Sequence, residues 1–210
     1  MSAEVSLEKV KAYFEQKLAT HGATPQGVDW NSKQAQERRF EQLLKVVDTS
    51  QEFSINDYGC GYGALLDYLS ARGYWFRYAG FDLLEPMVAR ARELHAGRPD
   101  CHFSSNLPDL ATADYNLASG IFNVKLETEH GHWTEYILSN LDRVDALSRK
   151  GFAFNLLTKY SDPALMRSDL YYGDPGFFFD YFIRRFSKKV ALLHDYGLYD
   201  FTLLVRKEPW

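Results

Sequence analysis

Two cysteines in 210 residues cannot build a disulfide framework. Cys60 lies inside a glycine-rich turn and Cys101 opens a short apolar run. Neither has a second thiol or a histidine at metal-ligand spacing, so no metal site is expected. Long apolar stretches are missing as well, which argues against a membrane span. The opening segment MSAEVSLEKVKAYFEQ carries acids and no apolar h-region, unlike a secretion signal. Neither sign of charge dominates: the net value of −4 gives no general attraction for nucleic acid or an anionic membrane. The one dense basic cluster, Arg184-Arg185 with Lys188-Lys189, is interrupted by Phe186 and Ser187 and reads as a solvated face beside a strand. A soluble cytoplasmic protein with no nucleic-acid or membrane partner is therefore expected. No feature fixes its oligomeric state.

What remains is an ordinary globular composition, 46% hydrophobic and 25% charged, at a length suited to one domain with a small cap. Aromatics are the distinctive excess, with 15 Phe and 14 Tyr concentrated in the second half. Leu7, Val10, Phe14 and Leu18 repeat at helical spacing, and Gly22 is a plausible stop. A turn-rich link leads to a second helix that Asn31 can cap, with Gln34 completing a capping-box pattern. These two helices, residues 1–50, read as an N-terminal cap. Trp30 and Arg39 are its candidates to meet a ligand. Arg39 stands beside the buried stripe, where it either reaches inward to a carboxylate or lies on the surface.

From residue 51 onward strand and helix alternate. The run Phe53-Ser54-Ile55-Asn56-Asp57-Tyr58 reads as a buried strand, followed at once by Gly59, Gly61 and Gly63 and then by a helical pattern. Strand, glycine turn and helix in that order make a ligand-binding corner, because the backbone can approach the ligand and the helix N-terminus offers free N–H groups. The plainer reading is a tight turn, for which one or two glycines would be enough. A second strand ends in Asp82, 19 residues after Gly63. Further strands are expected at Cys101–Ser104, Tyr115–Phe122 and Phe152–Leu157. The runs Val190–Leu193 and Phe201–Val205 are too close in sequence for a crossover helix, so they must pair antiparallel. The outline is a doubly wound α/β domain closed by an antiparallel strand.

The corner satisfies G-x-G-x-x-G/A through Gly59, Gly61 and Ala64, so a dinucleotide and an NAD(P)-dependent oxidoreductase fit the motif alone. Asp57 points elsewhere: an acid before the glycines would oppose a pyrophosphate but suit an amino group. At this point the chain resembles the class I S-adenosylmethionine-dependent methyltransferases, whose D-x-G-x-G-x-G is matched by Asp57 to Gly63 and whose acid after the second strand is matched by Asp82. Tyr115 to Gly120 resembles the fourth-strand motif, with Asn116 where that family often has Asp. The resemblance covers roughly residues 30 to 206 and implies a mostly parallel, seven-stranded Rossmann-like sheet. It also implies S-adenosyl-L-methionine as cofactor, with Asp57, Gly59, Gly61 and Gly63 holding the methionine moiety and Asp82 the ribose. Leu83 would pack on the adenine, Asn106 and Leu107 would meet its edge, and Ser119 and Gly120 would line the methionine side.

Methyl transfer from a sulfonium needs in-line alignment and exclusion of water, and often removal of a proton from the acceptor. His194 is the one imidazole expected at a strand C-terminus, hence the candidate base. Asn123, after the fourth strand, and Tyr196, beside His194, complete the catalytic candidates. The Asp-Pro-Pro-Tyr-like signature of base methylation is replaced by Ile121-Phe122-Asn123-Val124, which lowers the case for a DNA acceptor. An aromatic insertion at about 160–180 is expected to wall the pocket of a small-molecule acceptor methylated on N or O. The alternatives are the oxidoreductase, a non-methylating user of the same cofactor, and a cofactor-binding module.

Overall fold

The computed structural model describes residues 5–207. The outermost ends of the two expected regions, residues 1–4 and 208–210, lie outside them. Helix α1 (Leu7–His21) stops where Gly22 turns to φ 65° and returns its N–H to the Leu18 carbonyl. Helix α2 (Lys33–Leu44) is capped by Ser32, not by Asn31. The extended backbone at Ser32 brings its Oγ to 3.1 Å from the Ala35 N–H, so the cap falls one residue later than the capping-box spacing suggested.

The alternating region runs β1 (Phe53–Tyr58), α3 (Ala64–Ala71), β2 (Phe76–Phe81), α4 (Glu85–Leu94), β3 (Cys101–Ser104) and β4 (Ala113–Ala118). It continues with α5 (His130–Ala146), β5 (Ser148–Thr158), β6 (Tyr172–Gly173), α6 (Pro175–Arg185), β7 (Lys189–Leu193) and β8 (Asp200–Arg206). Seven strands form one path in the order β3-β2-β1-β4-β5-β8-β7, and the two-residue β6 pairs with the end of β5. All pairings are parallel except those of β8, which runs antiparallel to both neighbours. The doubly wound, seven-stranded expectation with its antiparallel closing strand therefore holds. The fourth strand ends at Ala118, short of Phe122, because Gly120 takes φ 70° and turns the chain.

Alternate strand residues feed two cores, as a pleated sheet covered on both faces requires. Ile55 and Leu117 pack with Phe40 of α2, Leu65 of α3 and Val88 of α4. Tyr58, Ala118, Phe152 and Phe154 pack with Ile137 of α5 and Phe182 of α6. The aromatic excess is spent mainly in this second core. Phe154 and Phe182 rings lie 5.1 Å apart, Phe182 and Phe186 4.9 Å, and Phe178 and Phe201 6.0 Å. Each buried Phe contributes about 1.5–3 kcal/mol of transfer free energy, so the cluster anchors β5 and β8 firmly. Among the described residues no helix is long and apolar enough to cross a membrane.

Strand order reverses between β1 and β4, whose connections leave to opposite sides. A crevice opens there beyond the strand C-termini.

Candidate active site

The crevice is a cavity of about 410 Å³, within the usual range for small-molecule sites. Its floor is the turn after β1. Gly59 has φ 87°, and a Cβ there would stand 2.1 Å from Ile121 Cγ2, so only glycine lets the β1 and β4 turns approach this closely. Gly61 lies at φ 54° and donates its N–H to Asp82 Oδ2 at 2.9 Å. The second strand's acid thus fixes the glycine turn directly.

Two carboxylates face the cavity from neighbouring strands. Asp57 is 3% exposed, and its Oδ2 accepts the Tyr78 hydroxyl at 2.7 Å. Burial raises its pKa to about 7; the Tyr78 hydrogen bond opposes this and nearby Asp82 adds to it. Asp82 is also held above its ordinary value by burial, against the N–H groups of Leu84 and Gly61. One desolvated acid thus precedes the glycine turn and a second, from β2, holds its middle, and both are set to receive donors. Ser119 adds a third polar group. Its Oγ is shielded from solvent, has no protein partner and belongs to a residue lining the cavity.

Ten sequence candidates line this one cavity. Asp57, Gly59 and Gly61 come from the first turn, Asp82 and Leu83 from the second. Asn106 and Leu107 follow β3, Ser119 and Gly120 follow β4, and Trp30 reaches in from the N-terminal segment. Gly63 stands just outside the lining, at the N-cap of α3 with φ 88°.

Four further candidates lie away from the cavity. Arg39 is buried behind the cavity lining, with Nε and Nη2 on Asp200 and Nη1 on the Ala35 carbonyl, so it is committed to the protein and does not face the ligand space. Asn123 is 6% exposed and structural: its Oδ1 accepts Leu157 N–H and its carbonyl accepts Tyr171 N–H. His194 is exposed in the β7–β8 connection, its ring 6.0 Å from that of Tyr160. Tyr196 is buried against Thr202, and burial raises its pKa far above any useful base. β7 is the edge strand of the sheet, three places from β4, so its connection to β8 lies away from the crevice. The aromatic insertion also lines no part of the cavity. Phe178 sits in the second core, while Tyr160, Leu165 and Phe177 face solvent.

Other lining residues went unnoticed in the sequence. Leu7, Val10 and Phe14 of α1 roof the cavity, although α1 buries none of its residues completely. Their helical spacing was visible, but it looks identical whether a stripe packs on a core or on a ligand space. Trp133, Tyr136, Asn140 and Arg143 form the wall on α5. They are one helical stripe, displaced from the core stripe through Ile137, Leu141 and Val144. Tyr58 joins them, donating its hydroxyl to Asn140 Oδ1 at 3.0 Å.

No protein-family model matches the chain. A Mycobacterium tuberculosis (strain ATCC 25618 / H37Rv) protein named "Putative methyltransferase Rv1506c" is 52% identical over 164 residues, covering 78% of this chain and 99% of that protein. The chain belongs to the class I methyltransferases. Solved structures agree at the level of fold. The methyltransferase is similar to Burkholderia thailandensis 1,6-didemethyltoxoflavin-N1-methyltransferase, with a TM-score of 0.67 at 17% identity over 100% of this chain and 92% of that one. It is also similar to human N-acetylserotonin methyltransferase, with a TM-score of 0.58 at 16% identity over 81% of this chain. It spans about half, 52%, of the human chain. Membership in this family sets aside the oxidoreductase reading of the glycine motif.

Proposed function

We propose that this methyltransferase uses S-adenosylmethionine to methylate nitrogen or oxygen of a small-molecule acceptor. The carrying observation is the pair of desolvated acids, Asp57 ahead of a glycine turn in left-handed backbone and Asp82 bonded to the turn's Gly61 from the neighbouring strand. Asp57 suits an ammonium, Asp82 suits vicinal ribose hydroxyls, and Ser119 Oγ, after β4 on the other side of β1 from Asp82, offers a further free polar group. A pyrophosphate would meet two carboxylates. The structurally similar Burkholderia thailandensis methyltransferase was solved with bound 1,6-didemethyltoxoflavin and S-adenosylhomocysteine, which supports the same class here.

S-adenosylmethionine supplies a methyl group on a sulfonium, so the transfer is an in-line displacement in which the acceptor's electron pair replaces the carbon–sulfur bond. This chain's part is to bind, align and keep water out. Trp30, Ile121 and the α1 side chains Leu7, Val10 and Phe14 make an apolar enclosure suited to that task. The cavity is lined by no histidine among the described residues. Burial raises all three of its phenols, Tyr58, Tyr62 and Tyr136, the last two to about 12, too high to act as bases near neutrality. With Asp57 and Asp82 engaged by the cofactor in this reading, the site favours an acceptor that arrives nucleophilic, such as a neutral amine or ring nitrogen or an ionised hydroxyl.

Calorimetric titration with S-adenosylhomocysteine and with NADH, followed by labelled methyl transfer into a metabolite extract, tests this reading. Binding of the first alone and a labelled small product are expected. Intact binding with a silent extract would favour a cofactor-binding module. Methylthioadenosine as the product would favour other chemistry on the cofactor.

A further inference from the structure

A buried polar chain behind the cavity has no part in the roles assigned so far. Asp200, at the start of β8, is fully buried. It accepts Arg39 Nε at 3.1 Å, with a second, short contact from the same guanidinium to its other oxygen, and Asn155 Nδ2 at 2.8 Å. Each of these two donors reaches the cavity wall. The Arg39 guanidinium lies 4.1 Å from the centre of the Trp30 ring. Asn155 Oδ1 accepts the Gly120 N–H at 3.1 Å. Trp30 and Gly120 then meet: a Cβ on Gly120 would lie 2.2 Å from the Trp30 ring, and both residues line the cavity.

We propose that Asp200 is a positioning residue for this enzyme: through Arg39 and Asn155 it locks Trp30 against the Gly120 turn and so fixes the cavity wall at the end of β4. The physical case rests on bidentate geometry. A guanidinium fork held by one carboxylate is planar and fixed in direction, so it presents one face for the indole to stack on. The second arm fixes the turn on which the ring rests. Neither arm alone defines the gap between Trp30 and the turn, whereas one carboxylate shared by both does. A buried ion pair is a poor source of net stability, since desolvating two charges offsets their attraction. Its registry function is the better reason for it to stand here. Asp200 does not touch the cavity, and it acts only through its partners.

This inference rests on the cofactor reading above. Its test is a double-mutant cycle on the full chain, with S-adenosylmethionine and S-adenosylhomocysteine titrated calorimetrically. Asp200→Asn and Trp30→Leu should each weaken binding about tenfold, and the combined variant should be no weaker than about tenfold, because both remove the same wall. Trp30→Phe should bind within about threefold of the unaltered chain and remain sensitive to Asp200→Asn. Should Asp200→Asn fail to fold, Arg39→Met combined with Asp200→Asn leaves no buried charge unpaired and should show the same loss and the same non-additivity. Unmoved affinity in these variants, or losses that simply add to that of Trp30→Leu, would overturn the assignment while cofactor binding by the unaltered chain still stood. An unaltered chain that binds neither ligand would remove the cofactor reading, and this inference with it.

Discussion

Cofactor affinity should fall about tenfold between about pH 8 and about pH 6, and Asp57 is the reason. In the free protein its burial raises the carboxyl pKa to about 7. An amino-acid ammonium beside it favours the ionised form, so the bound pKa must be lower. The sign follows: a group whose pKa drops on binding gives affinity that is complete above the free pKa and is lost as pH falls through it. With a free value of about 7, the protonated fraction that must be cleared is about one tenth at pH 8 and about nine tenths at pH 6. The affinity ratio is therefore about ten. Calorimetry with S-adenosylhomocysteine in buffers of different ionisation enthalpy gives an independent count. About 0.9 proton should leave per ligand bound near pH 6 and about 0.1 near pH 8. Affinity that is flat across this interval, with no buffer-dependent heat, would refute the pairing of Asp57 with the ammonium. The same carboxyl lowers the free protein's own stability as pH rises from the ordinary carboxylate range through about 7, since its folded pKa is raised. Asp57→Asn should therefore unfold at higher urea than the unaltered chain above pH 7, while binding the cofactor poorly.

Asp82→Ala removes the acceptor for Gly61 and Leu84 N–H as well as the proposed ribose contact; binding should weaken at least about tenfold, from about 1.5–3 kcal/mol per charged hydrogen bond, as read by calorimetry. Gly59→Ala meets Ile121 at 2.1 Å in left-handed backbone and should cost about 1–3 kcal/mol in urea unfolding and abolish cofactor binding. Arg39→Ala leaves Asp200 charged and buried and should cost about 3–5 kcal/mol of stability in the same assay, far more than an exposed arginine would. His194→Ala, outside the cavity, should leave methyl transfer to an extract within about twofold of the unaltered chain; a loss of activity would restore that histidine as a base.

The sheet was legible because each of its signals is local. Hydrophobic runs, glycines and the short β7–β8 spacing sit within a few residues of what they specify, and Asp57 and Asp82 lie at strand ends where the topology must bring them together. The site's roof and far wall were harder to read. Val10 and Phe14 show a helical period, but that period carries no label for what lies beneath the helix. Tyr136, Asn140 and Arg143 form a stripe that looks like the polar flank of a core helix. The aromatic stretch misled for a related reason. Phe178 and Phe182 fill a core that β5, β8 and α6 share, and composition cannot distinguish a ring packed on other rings from one packed on a ligand.

Arg39 shows where reading from the sequence meets its physical limit. Its place beside the buried stripe left two options open, a surface position or an inward reach to a carboxylate, and the second is what the fold contains. The carboxylate lies 161 residues away on β8. No spacing rule spans that distance, because the register between β5 and β8 decides which acid faces α2. Its neighbourhood in sequence, ahead of the first strand, suggests the cofactor. It belongs instead to the scaffold on which Trp30 stacks. A charged side chain near a ligand site thus has two ways to serve it, by touching the ligand or by fixing what does. Position separates them: a buried guanidinium held on Asp200 and the Ala35 carbonyl, off the cavity lining, acts in the second way.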